Sequence, residues 1–359
     1  MFRFVLKRLF YGLLVLFGVA TIIFFLFAIL PGDPARMLMG QRADIASVDA
    51  IKKDLGLDKP VAVQYFNFLN DISPVSFQNT KNPESYWYLN HSKYGKTVSL
   101  IHFKNHSLIL KKPYLRRSYQ GQREVTAIIA EAFPKTLLLA GSAIFLAMIL
   151  GILLGIPAAL YKDSLLDRFL LVVSSVGMSV PSFFAAIIIA WVFAFLLADY
   201  TGLSMYGSLY SVDDYTGEVY LNLKNLLLPA ITLGIRPLAI IVSLTRSSLL
   251  DVLSQDYIRT AYAKGLSQFR VIVFHGLRNA LNPIITAVTG WFASLMAGAV
   301  FVEYIFDWKG IGVVIVDSLE KYDLPVIMGS VLFISVMLIL VNILADIFYA
   351  LLDPRVRIS

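Results

Sequence analysis

The stretch Asp256-Tyr257-Ile258-Arg259-Thr260-Ala261-Tyr262-Ala263-Lys264-Gly265-Leu266-Ser267-Gln268-Phe269-Arg270 lies between two long apolar runs, Leu226–Leu250 before it and Leu281–Val302 after it. Its residue order predicts a short helix over Gln255–Lys264. Gly265 is placed to take the left-handed conformation that ends such a helix, and Lys264 sets a positive charge against the negative end of the helix dipole. A second amphipathic segment runs from Gln268 to the next apolar run. A polar, basic helical turn between two apolar runs is an interfacial element. Two uses stay open for it, plugging into the groove of a partner protein or resting on lipid headgroups, and composition does not separate them.

Outward from this turn, the apolar runs repeat. A helix needs about 20 mostly apolar residues to cross a bilayer. Six segments meet that length: Phe10–Leu30, Thr136–Leu160, Phe169–Ala198, Leu226–Leu250, Leu281–Val302 and Val326–Leu352. The 359 residues are 58% hydrophobic and only 15% charged, with a mean hydropathy of +0.72, whereas about a quarter of a soluble domain is charged. The fold class expected is therefore an all-α membrane protein with six transmembrane helices. The first run is longer than the apolar part of a cleaved signal, roughly 7–15 residues, and Pro31-Gly32-Asp33-Pro34 follows it, so it reads as a retained span. The chain divides into residues 1–30 (N-terminal end and first span), 31–133 (a large external loop), 134–352 (the remaining spans, with the loop 251–280) and the tail 353–359.

Charge distribution orients these spans. Arg3, Lys7 and Arg8 precede the first; Lys162 and Arg168 lie in the Tyr161–Arg168 loop; Arg259, Lys264, Arg270 and Arg278 lie in the Asp251–Ala280 loop; Arg355 and Arg357 lie in the tail. With six spans all four segments share one side, which the excess of basic residues marks as cytoplasmic. The opposite loop Asp199–Asn225 carries Asp199, Asp213, Asp214 and Glu218 against Lys224. The expectation is a multi-pass protein of the cell inner membrane with both termini cytoplasmic. The net charge of +7 then faces anionic lipid rather than nucleic acid.

In the external loop, Ser47–Asn70 has apolar residues at helical spacing and predicts short helices broken at Gly56 and Pro60, while the alternation Val98-Ser99-Leu100-Ile101-His102-Phe103 suggests a small hairpin within Ser76–Tyr114. Enzyme chemistry finds no constellation. There is no cysteine; the histidines His91, His102, His106 and His275 form no H-E-x-x-H; and neither a G-x-S-x-G elbow nor a G-x-x-x-x-G-K-[ST] phosphate loop occurs. No catalytic, metal or cofactor site is expected in this chain, and ATP-driven work would need an ATPase on another polypeptide.

Charges inside spans are costly and tend to face a polar cavity or a partner. Arg236 lies about ten residues into the fourth span, beside Pro237. It is a candidate pathway residue, with attraction of a substrate carboxylate and pairing with Asp346 both open. Asn342 and Asp346 share a face of the last span one turn apart, either lining the pathway or holding helices together. Arg246, near the cytoplasmic end, is expected to snorkel. Gly151 with Gly155, and Gly290 with Ala297, suit close helix contact. Without inverted repeats, and with one carboxylate deep in a span, a self-sufficient secondary transporter or channel is the alternative function rather than the first.

The segment DYIRTAYAKGLSQFRVIVFHGLRNALNP (Asp256–Pro283) resembles the coupling motif of binding-protein-dependent ABC importer permeases in their dipeptide, oligopeptide and nickel branch. Arg259-Thr260-Ala261 and Gly265 occupy the positions of that motif's Glu-Ala-Ala opening and glycine, and Ala263-Lys264-Gly265-Leu266 is typical of the branch. The resemblance runs along most of the chain, through LPGDPA (Leu30–Ala35), LGLDKPVAVQYFNFL (Leu55–Leu69), FPKTLLLA, GIPAAL, DRFLLVVSSVGMSVPSFF, LLLPAITLG and LVNILADIFYALLDPRVR. The B-type subunit, with Leu-Pro-Gly-Asp-Pro after its first span, is the most similar. The resemblance implies the type I ABC importer permease fold and a second homologous permease subunit. It implies two cytoplasmic ABC ATPase subunits, an extracytoplasmic solute-binding protein, and ATPase coupling through Asp256, Arg259, Thr260, Ala261, Ala263, Lys264, Gly265 and Leu266. Arg259 and Lys264 would then meet acids of the ATPase groove or stay solvated. Two departures stand out: Lys309 occupies the proline position of the family's Pro-Gly-x-Gly, and roughly Ile72–Leu115 is longer than usual.

Overall fold

The computed structural model describes residues 2–29, 52, 57–82, 85, 87–89, 91–213 and 215–352. Leu-Pro-Gly-Asp-Pro, the tail 353–359 and most of Ser47–Gly56 lie outside them. Helix α1 spans Phe2–Ile29. After Pro60, α2 spans Val61–Ile72, the second of the short helices expected there; Pro60 sits at the N-cap with extended backbone, where its missing N–H costs no helical bond. Strands β1 (Val75–Asn79), β2 (Val98–Phe103) and β3 (His106–Leu110) form an antiparallel sheet in the order β1-β3-β2. The expected hairpin is β2–β3, and β1 extends it to three strands, which a two-stranded ribbon needs for stability in water.

Helix α3 runs over Val125–Leu160 with Pro134 and Pro157 inside it. The third expected span, Phe169–Ala198, is not one helix. It is α4 (Leu165–Ser179) and α5 (Ser182–Trp191), with a π-helical continuation Val192–Leu196, bent by 111° at the break. Pro181 causes the break. A residue before proline is pushed out of the helical region, and Val180 sits at φ −73°, ψ 127°. The small hairpin β4 (Tyr210–Val212) and β5 (Val219–Leu221) precedes α6 (Lys224–Leu253). Then come α7 (Asp256–Ala263), α8 (Arg278–Gly298), α9 (Val300–Ile305), α10 (Ile311–Glu320) and α11 (Leu324–Leu352). Among the described residues five helices are long and apolar enough to cross a membrane, or six if the bent α4–α5 pair is one span.

Two compact units emerge. One comprises Met1–Arg8, Ala132–Val313 and Met337–Ser359. Its core joins Leu139, Ala140 and Ala143 of α3 to Leu228, Ala230 and Leu233 of α6 and to Val302, Phe306 and Trp308. Helix α3 approaches α6 closely because Gly151 and Gly155 lack side chains: a Cβ on Gly151 would lie 2.6 Å from Ile241, and one on Gly155 2.5 Å from Thr245. Gly290, expected to play the same part, faces open space within this chain. The other unit comprises Leu9–Glu131 and Val314–Val336. There Ala20, Ile23 and Phe24 of α1 pack with Phe68 of α2 and Leu332 of α11. The external loop is thus part of a core shared with span segments.

Candidate functional site

The turn after α6 builds a short helix braced from below. Gln255 enters α7 in extended conformation, and Asp256 sets a negative charge in its first turn, matching the dipole. The helix ends as its sequence predicts. Gly265 has φ +78°, its N–H donates to the Tyr262 carbonyl at 2.9 Å, and the Leu266 N–H donates to the Ala261 carbonyl at 3.4 Å. This pair of bonds is the Schellman closure, which needs a left-handed residue at Gly265. Ile258 and Ala261 are buried against Val271, with Val252, Leu253 and Leu266 packed around them. The remaining members of the expected coupling set, Asp256, Arg259, Thr260, Ala263, Lys264 and Gly265, are exposed. The set therefore divides: Ala261 and Leu266 anchor the helix, and the other six form its free face. Tyr257, Tyr262, Phe269 and Phe274 add exposed aromatic surface to that face and its flank. Arg259 reaches Asp256 at 3.6 Å with both side chains largely in solvent, a pair worth little.

Beyond α7, the second amphipathic segment is not separate from the fifth span. Gln268–Arg270 is α-helical, Val271–Leu277 is π-helical and α8 continues from Arg278. Val271 and Ile272 are buried while Phe274 is exposed, so the wider π turn carries the face braced under α7 directly into α8. Asn279 of α8 also donates to the Tyr257 hydroxyl at 2.8 Å.

The pathway candidates are not brought together. Arg236 is exposed on α6, and among the described residues it makes no ion pair. Asp346 pairs with Arg8 at 2.8 Å, so the Arg236–Asp346 pair considered from sequence is not formed. The reason is position along α11: Asp346 lies toward the end that meets the start of α1. Asn342 is exposed one turn away. Arg246 does not snorkel. It donates to both carboxylate oxygens of Asp167, at 2.5 and 2.7 Å, and Asp167 also accepts from the Asp163 N–H at 2.9 Å. A bidentate, charge-assisted bond of this kind is shorter and more directional than a neutral one and fixes the guanidinium in place.

One buried cluster was not legible in the sequence. Glu303 on α9 is fully buried. Its carboxylate accepts from the Thr136 hydroxyl and from the Gly312 N–H, both at 2.6 Å. Thr136 in turn accepts from the Ile311 N–H at 2.9 Å, and the Trp308 indole donates to the Lys135 carbonyl at 2.9 Å. A Cβ on Gly310 would collide with the Glu303 carboxylate, and one on Gly312 would lie 2.5 Å from the Val300 Cα. The glycines of the Pro-Gly-x-Gly position are there because a carboxylate occupies the space. Lys309, in the proline position, pairs with Asp307 at the surface. The only sequence signal was the glycine spacing itself.

Comparison with known proteins bears on the whole chain. Residues 151–358 match the family described as binding-protein-dependent transport system inner membrane component, and residues 1–83 match the N-terminal part of such membrane components. The di/tripeptide transport system permease protein DppB of Pseudomonas aeruginosa is 33% identical, with 99% of each chain covered. The glutathione transport system permease protein GsiC of Salmonella typhimurium is 32% identical, again over 99% of each. Among solved structures, the MetNI methionine ABC transporter in an inward-facing conformation matches with a TM-score of 0.51 at 13% identity, over 64% of this chain and 97% of that one, a likeness of fold alone. With a family match over more than half its length and relatives this similar from end to end, the chain belongs to the family of binding-protein-dependent transport system inner membrane components.

Proposed function

We propose that this chain is one permease subunit of an ATP-driven importer of di- and oligopeptides. It forms half of the translocation pathway beside a second homologous permease, and it works with two ATPase subunits and a solute-binding protein on the outside. The peptide assignment is supported by what the relatives are named for. The single observation that carries the mechanism is the α7 turn: a helix whose underside packs on Val271 of the π turn leading into α8 and on Val252 and Leu253 of α6, with Asn279 of α8 bonded to Tyr257, and whose outer face is free. Such a helix, docked on a partner that closes on ATP, moves with it and transmits that movement to α8 as a rigid body. Both termini and α7 face the cytoplasm in this reading, and Arg236, Asn342 and Asp346 remain candidates for the pathway.

The chain's lack of cysteine makes the test direct. Single cysteines at Thr260 and Ala263, on the free face, should cross-link to a co-expressed ATPase subunit, whereas one at the buried Ile258 should not. Absence of cross-linking from every free-face position, or labelling of these cysteines from outside intact cells, would overturn the reading. Solute uptake by this chain alone in liposomes would favour the secondary transporter or channel instead.

A further inference from the structure

The sheet β1-β3-β2 is built inside out. By its register, Val75 pairs with Leu110 and Leu110 with Val98, while Phe77 pairs with Leu108 and Leu108 with Ile101. Directly paired residues share a face, so these six apolar side chains form one surface. Five of the six are exposed, Val98 to 60%. The opposite face carries the buried Ser76, Gln78 and Ser107 around one buried apolar side chain, Ile109, with Ser99 and His102 of β2 exposed at its edge. A sheet in water turns its apolar face inward, so the outward face is built for something other than water.

Charge and position indicate what it meets. Exposed lysines border the apolar rows at both ends: Lys96 precedes β2 and Lys112 follows β3 at one end, and Lys104 sits in the β2–β3 turn at the other. Over Ile72–Leu115 there are six lysines against one acid, Glu84. The sheet is also tied to the level of the bilayer. Tyr65 of α2 hydrogen-bonds Thr21 of α1 at 2.7 Å, and Phe68 stacks on Phe24 with centroids 5.6 Å apart. Thr21 lies within the apolar window Leu6–Phe27, about 9 Å inward of its end at 1.5 Å per helical residue. Leu69 and Ile72, at the far end of α2, join the same cluster, and β1 starts only three residues later, a reach of about 10 Å. An apolar face ringed by lysines at that depth matches an anionic headgroup region, which takes apolar side chains to the acyl boundary and holds cations at the phosphates.

The geometry points to this sheet as a docking surface for anionic phospholipid on the outer side of the membrane, seating the external loop on the bilayer through Val75, Phe77, Val98, Ile101 and Leu110 with Lys96, Lys104 and Lys112 on the phosphates. The inference rests on the topology of the proposed function for its side of the membrane, and on the sheet alone for its contact with lipid.

The test places a single cysteine at Ile101, carrying an environment-sensitive fluorophore, in the assembled protein in vesicles of phosphatidylcholine with or without phosphatidylglycerol. Nitroxide quenchers are attached to lipid headgroups and to shallow acyl carbons. Quenching and a blue shift are expected at position 101 in phosphatidylglycerol vesicles. Both should weaken several-fold in pure phosphatidylcholine and in the K96Q/K104Q/K112Q variant, since each lysine near an anionic surface is worth roughly a fivefold preference. A cysteine at Ser99, on the opposite face, should remain unquenched. A water-exposed probe at 101 in both lipids would overturn the proposal, and so would a probe shielded only when the solute-binding protein is added. The depth signal is independent of which side the probe occupies. An impermeant thiol reagent applied to intact cells reports that side separately, so failure of the topology and failure of the lipid contact are read apart.

Discussion

Gly265→Val puts a β-branched residue at the one left-handed position of the α7 turn. A Cβ there meets nothing within 4 Å, so no clash contributes and the whole effect is backbone strain. At φ +78° that strain is about 2 kcal/mol for a side chain with a branched Cβ. The Schellman closure it opposes rests on the two hydrogen bonds from Gly265 and Leu266, worth about 1 kcal/mol each net. Strain and closure are nearly equal, so the turn goes from closed to about evenly open, and the lever loses its fixed end while α8 stays folded. Gly265→Asn is the control, because asparagine tolerates the left-handed region at a fraction of that strain. The assay is the fully assembled transporter in proteoliposomes, with uptake and ATP hydrolysis measured together. Solute imported per ATP should fall by about half or more in the valine variant, with hydrolysis retained, and should stay near the parent value in the asparagine variant. A valine variant with an unchanged ratio, or an asparagine variant as uncoupled as valine, would refute the role assigned to the turn.

Removing the guanidinium in Arg246→Ala leaves the Asp167 carboxylate, covered but close to the surface, with the Asp163 N–H as its remaining partner, costing about 1–3 kcal/mol; a lowered thermal midpoint in detergent should show it, with partial recovery in the Arg246→Met/Asp167→Leu double variant. Glu303→Ala strips acceptors from the Thr136 hydroxyl and the Gly312 N–H at about 1–3 kcal/mol for each donor left unpaired, and proteolysis of the loop 306–310 should accelerate. Arg236→Ala should reduce uptake while assembly, followed by co-purification of the other subunits, survives. Lys111 gives a pH signature. Burial lowers its pKa from 10.5 to about 8, with Asp71 opposing the shift. Between those values the unfolded chain holds more protons than the folded one, so the external unit gains stability as pH rises from about 8 toward 10.5; denaturation followed by Trp87 fluorescence, with the other three tryptophans replaced by phenylalanine, should track this, and Lys111→Met should weaken it, leaving the contribution of Lys93, whose pKa burial also lowers.

Much of this protein is written locally in its sequence. Apolar runs of about 20 residues are long enough to span a bilayer and mark candidate spans, and the ending of α7 at Gly265 follows from four consecutive residue types. The closure spans six residues, so short-range order is enough to read it. Its division into an anchored underside and a free face followed from the same spacing only once Val271 and Leu253 were seen beneath it. Pro181 was visible too, but whether it kinks a span or breaks it by 111° depends on what packs on either side.

What tertiary structure alone decided concerns long-range partners. Arg246 finds Asp167 79 residues away, Glu303 finds Thr136 at a separation of 167, and Asp346 chooses Arg8 rather than Arg236. The inverted sheet belongs here as well: alternation in Val98–Phe103 announces a strand but not which face points outward. A polar group or a charge inside a helix declares that it needs a partner, because leaving it unpaired is costly, yet the sequence carries no record of which one it meets. That choice is made by helix packing, where glycines such as Gly151 and Gly155 set the spacing at which distant side chains come into hydrogen-bond range.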